Sequence, residues 1–230
     1  MRKTITKKQL IISLLIGSYA LIEILYFISI EIPFRFIFMT WWNLYLNSFY
    51  LICILFFDIL FYFKINILEK INYFFREHLS PILCTLTFLV SLIFWCVIYP
   101  MIIFLGKKNP DKWGAYVNFY VHFILTCLHV VDIFYGERKK KFYDQRDWNG
   151  VAFIMGIYSI LVLISYFKYN FAIYPFLEKL NGVKIIIFFV GFVFIFTMLY
   201  YLYIKLVDLK YKFKIYISIE KEKGKMKKNE

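Results

Sequence analysis

Two runs of polar residues interrupt otherwise apolar stretches of this 230-residue chain. Their members recur every three or four residues: Thr40, Asn43 and Asn47 in the first run, and Asn118, His122, Thr126 and His129 in the second. Residues at these intervals share one face of an α-helix, so each run predicts a polar stripe on one helix. A hydroxyl, an imidazole and several amides are groups that nucleophilic catalysis uses.

The chemistry available to these residues begins at Thr40. A threonine hydroxyl is a weak nucleophile until a base removes its proton, and a histidine such as His122 can take that proton and pass it to a leaving group. The candidate catalytic residues are therefore Thr40 and His122. The residues that could line the site or stabilise an oxyanion are Asn43, Asn47, Asn118, Thr126 and Glu23.

Other interpretations fit the same stripes. The Thr40 hydroxyl could bond the carbonyl of Phe36, four residues earlier in its own helix. Polar side chains also hold membrane helices together, at roughly 0.6–2 kcal/mol for each hydrogen bond. A transport path is a further alternative, and it predicts polar groups through the whole membrane. The third and fifth apolar segments offer almost none, which argues against such a path.

The stripes lie in segments that are long and apolar enough to cross a bilayer. Hydrophobic residues make up 62% of the chain and the mean hydropathy is +0.66, more apolar surface than a soluble domain of this length could bury. A spanning helix needs about 20 mostly apolar residues. Six segments reach that length: 9–30, 36–61, 79–105, 115–135, 148–168 and 184–207. The sequence therefore predicts an all-α membrane protein with six transmembrane helices in one domain (residues 1–210), followed by a basic cytosolic tail (211–230).

The distribution of positive charge predicts the orientation. Of the 28 Lys and Arg residues, 21 fall on the side that carries both termini, which the positive-inside rule places in the cytosol. The second and fourth helices then both start on the other side, so Thr40 and His122 have similar depth, and Glu23 in the first helix comes to the same level. We expect Asp58 and Asp132, near cytosolic helix ends, to reach the interface or the basic loops.

The expected partners are the lipid bilayer and a lipid substrate. Topology and contact with anionic lipid headgroups account for the net charge of +13, so no nucleic acid is expected. The cysteines and the three histidines lack metal-ligand spacing, and there is no glycine-rich phosphate loop, so no cofactor and no metal are expected. The oligomeric state stays open. Lys227 and Lys228 resemble a dilysine retrieval signal and predict the endoplasmic reticulum or another endomembrane.

Several short motifs resemble one known family. The strongest is Tyr174-Pro175-Phe176-Leu177-Glu178-Lys179-Leu180, and others are Ile30-Glu31-Ile32-Pro33 and Phe94-Trp95 with Ile98-Tyr99. In this order and spacing they resemble the androgen-induced gene family of six-helix membrane proteins, described as threonine hydrolases of lipid esters. The resemblance runs from about Ile30 to Leu206.

The resemblance implies roles for two residues. Thr40 stands a full helix before Asp58, as the nucleophile of the family does before its Asp, and His122 closes a motif that matches the family's Asn-His-x-x-His. Fatty acid esters of hydroxy fatty acids are the implied substrates, cleaved through an acyl-threonine. The sequence departs from the family at Phe119, where the first His of that motif is expected, and at Asn43, where an Asp is common; Glu23 has no counterpart. The change at Phe119 favours a second possibility, an inactive regulatory or scaffold protein of the same fold.

Overall fold

The fold is described by a computed structural model that covers residues 5–29, 39–65, 67–100, 119–135, 144–169 and 182–226, with side chains described as far as Phe213. Six helices follow one another in these ranges: α1 (Lys7–Ser29), α2 (Met39–Tyr62), α3 (Glu69–Phe74, Phe75–Leu79, Ser80–Ile93 and Phe94–Ile98, continuous), α4 (Tyr120–Ile124 and Leu125–Tyr135, continuous), α5 (Gln145–Tyr169) and α6 (Gly182–Met226). No strand occurs within them.

Two of the helices contain wider π-helical turns. In α3 these are Phe75–Leu79 and Phe94–Ile98, and α4 opens with a third at Tyr120–Ile124. Such turns bond each N–H five residues back instead of four, and they are frequent at functional sites. The N–H of Leu125, for example, bonds the carbonyl of Tyr120.

The expected all-helical fold is confirmed, and the chain has the helices of a multi-pass membrane protein. By length and composition α1, α2, α3, α5 and α6 could each cross a membrane, while α4 is shorter over its described residues. The structure does not test whether both termini are cytosolic, and that stays a prediction. The helix α6 continues to Met226, across the boundary expected between the membrane domain and the tail.

The third helix begins earlier than the sequence indicated. It starts at Glu69 instead of residue 79, and so includes Arg76, which lies between the second and third apolar segments of the sequence. Arg76 is 5% exposed and is paired with Asp58. Because a neighbouring carboxylate neutralises it, the guanidinium can be buried in a helix.

The centre of the bundle is α3, which packs against α2, α4, α5 and α6. In its most apolar stretch 61% of the residues are buried, against 28%, 22% and 24% in α1, α5 and α6. Large apolar side chains on those three helices point outward, among them Leu15, Phe153 and Ile187. A bilayer would cover such surfaces, which in a soluble protein would drive association.

The first two helices make a very close contact. A Cβ placed on Gly17 would lie 2.5 Å from the Cβ of Leu55, so only glycine allows this approach. The ring of Phe27, further along α1, packs edge-to-face on Trp41 at 6.0 Å. These contacts set α1 and α2 antiparallel and fix their register.

Candidate active site

The stripe on α2 is fixed against α3 by Thr87. Asn47 donates from Nδ2 to the backbone oxygen of Asn43 at 2.7 Å and to its side-chain Oδ1 at 2.8 Å. The Thr87 hydroxyl lies 3.0 Å from the same Oδ1 and 2.9 Å from the carbonyl oxygen of Leu83. The three polar residues are fully buried. Asn43 is therefore held by its amide oxygen, while its Nδ2 has no hydrogen-bond partner in the described ranges.

The imidazole of His122 lies flat against a ring of α3. Its centroid is 3.8 Å from that of Phe94, with 4° between the planes, and 3% of the residue is exposed. The backbone of Val90, one turn earlier on α3, hydrogen-bonds the imidazole. Nδ1 bonds no residue in the part of the chain that the structure describes. The ring is thus buried and oriented, and one nitrogen is left available.

The backbone of His122 is also held by α3. Its carbonyl oxygen accepts a hydrogen bond from the Ser91 hydroxyl at 2.5 Å and from Nε1 of Trp95 at 3.3 Å. The Ser91 hydroxyl is also 2.6 Å from Oγ1 of Thr126, one turn further along α4. Since Ser91 is four residues after Thr87, the two predicted stripes meet α3 on neighbouring turns.

Thr40 lies at the start of α2, one turn before Asn43, and is half-buried. The N–H of the preceding residue, Met39, donates to the Tyr158 hydroxyl on α5 at 3.3 Å. The available Nδ1 of His122 is not bonded to the Thr40 hydroxyl in this structure. The structure therefore brings Asn43, Asn47, Thr126 and His122 together around α3 but does not join the two proposed catalytic side chains.

Glu23 lies beside Tyr120 on α4. It is 4% exposed, and it interacts electrostatically with the Tyr120 hydroxyl, which Ser48 of α2 also contacts. Ser48 is about two turns beyond Thr40 along α2 at 3.6 residues per turn. The carboxylate thus comes nearer to the middle of α2 than to Thr40, because the α1–α2 register places Phe27 against Trp41.

Asn118 and Phe119 are the first two positions of the motif that His122 closes. Asn118 lies outside the described residues. Phe119 is 44% exposed and stacks on Phe123 at 5.1 Å, whereas His122 is buried. The position where the family has a further His therefore faces out of the bundle.

The sequence profile of the FAR-17a/AIG1-like proteins matches residues 23–208. This chain belongs to that family. The expected resemblance to the androgen-induced gene family is confirmed, since the two names describe the same family, and the matched region contains every candidate site residue from Glu23 to His122. No significant match was found among curated proteins or among solved structures.

This FAR-17a/AIG1-like chain also buries an ion network that the sequence argument missed. Arg76 hydrogen-bonds Asp58, which also accepts a bond from the Ser13 hydroxyl. Nη1 of Arg76 is 3.9 Å from Oδ1 of Asp132, and the Tyr50 hydroxyl donates to Oδ2 of Asp132 at 2.9 Å. Asp58, expected to reach the interface or a basic loop, thus pairs with Arg76, and Asp58 and Asp132 are 2% and 5% exposed. Two acidic residues inside apolar segments, Asp58 and Asp132, were the available signal.

The expectation that the third span is nearly free of polar groups is wrong. Within residues 79–105, Thr85 and Thr87 are fully buried and Ser91 is partly buried. A narrow cleft beside the ion network is lined by Gln9, Ser13, Asp58, Arg76, Asp132 and Tyr135 together with Ile12 and Ile16 of α1 and Ile5, which precedes that helix. Buried polar side chains in this family member therefore extend well beyond the two predicted stripes.

A separate cluster of side chains, His78, Asp144 and Asp147, has the ligand types of a metal site. Their ligand atoms lie within 4.8 Å of one another. Each has a protein partner, however: Nδ1 of His78 is 3.0 Å from Oδ1 of Asp147, and Oδ1 of Asp144 accepts the N–H of Arg146 at the start of α5. The Tyr200 hydroxyl of α6 lies 3.4 Å from Oδ2 of Asp147. These bonds account for the group as a connection between α3, α5 and α6.

Proposed function

We propose that this protein is a membrane-embedded hydrolase of lipid esters, with Thr40 as nucleophile and His122 as general base and acid. Esters of fatty acids with hydroxy fatty acids are the proposed substrates, on the resemblance of the chain to its family. The ester reaches the site from the bilayer, in which the flanking helices are embedded.

The observation that carries the proposal is a pair of buried nitrogen atoms, Nδ1 of His122 and Nδ2 of Asn43, that have no hydrogen-bond partner among the residues the structure describes. A buried polar atom without a partner costs about 1–3 kcal/mol, so such atoms call for an explanation, and a catalytic role is one. Both side chains are held firmly by their other atoms, through Phe94 and Thr87. A basic nitrogen and an amide donor, held by neighbouring turns of α3, are groups that acyl transfer uses.

The proposed reaction has two steps. In the first, the Thr40 oxygen attacks the ester carbonyl while His122 takes the hydroxyl proton, and the oxyanion accepts a bond from Nδ2 of Asn43. Collapse expels the alcohol, which receives that proton, and leaves an acyl-threonine. In the second, water attacks the acyl group with His122 again as base, releasing a carboxylic acid and restoring Thr40. The two side chains must approach each other when substrate binds, as catalytic groups in free enzymes often do.

The position of Phe119 weakens the alternative of an inactive scaffold. That alternative rested on the loss of a family histidine. Its replacement is 44% exposed and packs on Phe123, on the outside of the bundle. The proposed nucleophile and base do not depend on it.

Ester hydrolysis by membranes that carry matched amounts of protein tests the proposal. Thr40→Ala and His122→Ala should each abolish hydrolysis of a fatty acid ester of a hydroxy fatty acid. The matched control is Thr197→Ala, since Thr197 is also a threonine in a membrane helix but is only half-buried, and within the described ranges its hydroxyl bonds the carbonyl of Val193 in its own helix, at 2.8 Å. Activity that survives Thr40→Ala would refute the mechanism. A fluorophosphonate probe gives a second readout, with labelling expected in wild type and lost in Thr40→Ala.

The orientation and location are part of the same proposal. We place both termini in the cytosol and the protein in the endoplasmic reticulum or another endomembrane. Epitope tags at the two ends should both be accessible after selective permeabilisation of the plasma membrane. Replacement of Lys227 and Lys228 by serine should release the protein from that compartment, as followed by microscopy.

A further inference from the structure

Four residues of α3 contact His122, and all four lie within about one and a half turns of that helix. Val90 contacts the imidazole through its backbone, Phe94 stacks on the ring, and Ser91 and Trp95 bond the main-chain carbonyl. The proposed base is therefore held by its ring and by its backbone from one neighbouring helix.

His122 lies in the π-helical turn Tyr120–Ile124, and its backbone carbonyl is contacted from α3. In an α-helix each carbonyl is occupied by the N–H four residues later, and a π-helical turn disturbs that ladder. The carbonyl of His122 receives two donors from another helix, at 2.5 Å from Ser91 and 3.3 Å from Trp95. A buried carbonyl needs such donors, so the shape of the turn and the side chains of α3 depend on each other.

Ser91 is the stronger of the two donors and makes a second contact. Its hydroxyl is also 2.6 Å from Oγ1 of Thr126, so it connects two successive turns of α4 to α3. Trp95, by contrast, makes one long hydrogen bond to the same carbonyl and is 37% exposed. Loss of the Ser91 hydroxyl would thus leave the His122 turn with only its weaker donor.

The ring contacts fix which nitrogen can act as a base. Val90 provides a backbone partner to the imidazole, and Nδ1 has no partner among the described residues, which together assign the proton to Nε2 and the lone pair to Nδ1. In a neutral histidine the hydrogen bond made by one nitrogen sets the tautomer and so determines the role of the other. Phe94 prevents the ring from turning away from this arrangement.

We propose that Ser91 is a positioning residue for the hydrolase: its hydroxyl holds the π-helical turn of α4 so that the His122 ring stays on Phe94 with Nδ1 directed to the reacting hydroxyl. This inference rests on the proposed function. Ser91 itself does not touch substrate.

The test compares Ser91→Ala with Ser91→Thr, which keeps a hydroxyl at the same place. Misplacement of a catalytic group by about 1 Å can cost on the order of 100-fold in rate. We expect Ser91→Ala to lower kcat by about 10- to 100-fold with KM nearly unchanged, and Ser91→Thr to recover most of the loss. Thr197→Ala again serves as the control. A kcat for Ser91→Ala equal to that of wild type would overturn the proposal.

A second readout does not depend on hydrolysis. Diethyl pyrocarbonate modifies the imidazole nitrogen of accessible histidines, and mass spectrometry of the His122 peptide gives the rate. A ring that is no longer held should react several-fold faster in Ser91→Ala than in wild type or in Ser91→Thr. Equal rates in all three proteins would overturn the positioning role even if kcat fell.

The two readouts separate the two possible failures. If wild type and Thr40→Ala hydrolyse esters equally, the proposed function fails, while the reaction of His122 still shows whether Ser91 holds the ring. If Ser91→Ala does not fold, Trp95→Phe replaces it, because this change keeps a large ring and removes only the N–H donor. It should lower kcat by a smaller factor, about 3-fold, in line with its longer bond, and no change in kcat or in His122 reactivity would count against the proposal.

Discussion

The two ends of the bundle bury polar groups in opposite ways. Towards the start of α2, the residues around Asn43 and His122 are uncharged, and two of their nitrogen atoms have no partner in the described residues. We call this the Thr40 end. Towards the end of α2, at what we call the Asp58 end, Arg76 is paired with two carboxylates that are themselves bonded by Ser13 and Tyr50.

This difference indicates that the two ends have different roles, one in helix assembly and one in substrate binding. A buried ion pair is strongly destabilising when one partner is lost, so the Asp58 end should determine whether the helices assemble. Neutral hydrogen bonds between membrane helices contribute less, about 0.6 kcal/mol on average. The Thr40 end can therefore leave polar atoms available for a substrate at an acceptable cost. Substitutions at the Asp58 end should alter stability, and those at the Thr40 end should alter activity.

The largest effect on stability is expected from Arg76→Ala. It leaves the carboxylates of Asp58 and Asp132 buried together without their cation, which should cost about 3–5 kcal/mol. Unfolding in mixed micelles with increasing denaturing detergent would measure it. The control is Lys212→Ala, because Lys212 pairs with Asp208 at 3.3 Å but is 72% exposed, and exposed pairs contribute little. A stability equal to wild type for Arg76→Ala would abolish the distinction between the two ends.

Asn43→Ala should lower activity strongly and stability only modestly, the opposite of Arg76→Ala. Removal of one oxyanion donor lowers kcat by about 100- to 1,000-fold in characterised enzymes, and we expect a loss in that range together with a modest loss of stability. The assay is ester hydrolysis beside the same unfolding measurement. A fall in stability as large as that of Arg76→Ala, with activity per folded molecule intact, would make Asn43 a purely structural residue.

Tyr50→Phe removes a single hydroxyl from the Asp58 end. Its bond to Oδ2 of Asp132 is 2.9 Å long, and hydrogen bonds to charged groups are worth about 1.5–3 kcal/mol. The stack of Tyr50 on His129, at 5.7 Å, should survive in the variant. We expect a loss of stability in that range with kcat unchanged, and a fall in kcat at unchanged stability would show that the two ends are coupled.

The smallest effect is expected from Thr126→Val at the Thr40 end. The variant keeps the side-chain shape and loses the contact with Ser91, at about 0.6 kcal/mol. The Ser91 bond to His122 stays, so kcat should fall less than in Ser91→Ala. A larger fall of kcat in Thr126→Val than in Ser91→Ala would mean that Thr126, and not Ser91, holds α4 in position.

The sequence predicted the helices and much of the Thr40 end because both depend on short-range patterns. Apolar length predicts membrane helices, and intervals of three and four residues placed Asn43 and Asn47 on one face. The same patterns contain no information on partners, so Thr87 and Ser91 were not recognised as the residues of α3 that join the two stripes.

The Asp58 end was missed for a related reason. A charged residue near an apolar segment is assigned to a loop when no partner is known, and Arg76 finds its partners 18 and 56 positions away, at Asp58 and Asp132. The π-helical turns have no sequence signature either. Each changes the angular phase of the residues beyond it, so helical periodicity cannot be carried across Phe94–Ile98 or Tyr120–Ile124 unchanged.

The length of α6 has a consequence for the charges at the C-terminus. The helix runs for 45 residues to Met226, whereas the sixth apolar segment of the sequence ends at residue 207. At 1.5 Å per residue the remaining helix measures about 28 Å, roughly three times the Debye length of about 8–10 Å at physiological ionic strength. A helix that continues along the membrane normal would hold its tip beyond the range in which an anionic bilayer attracts positive side chains. Lysines that follow Met226 would then meet soluble proteins rather than lipid headgroups.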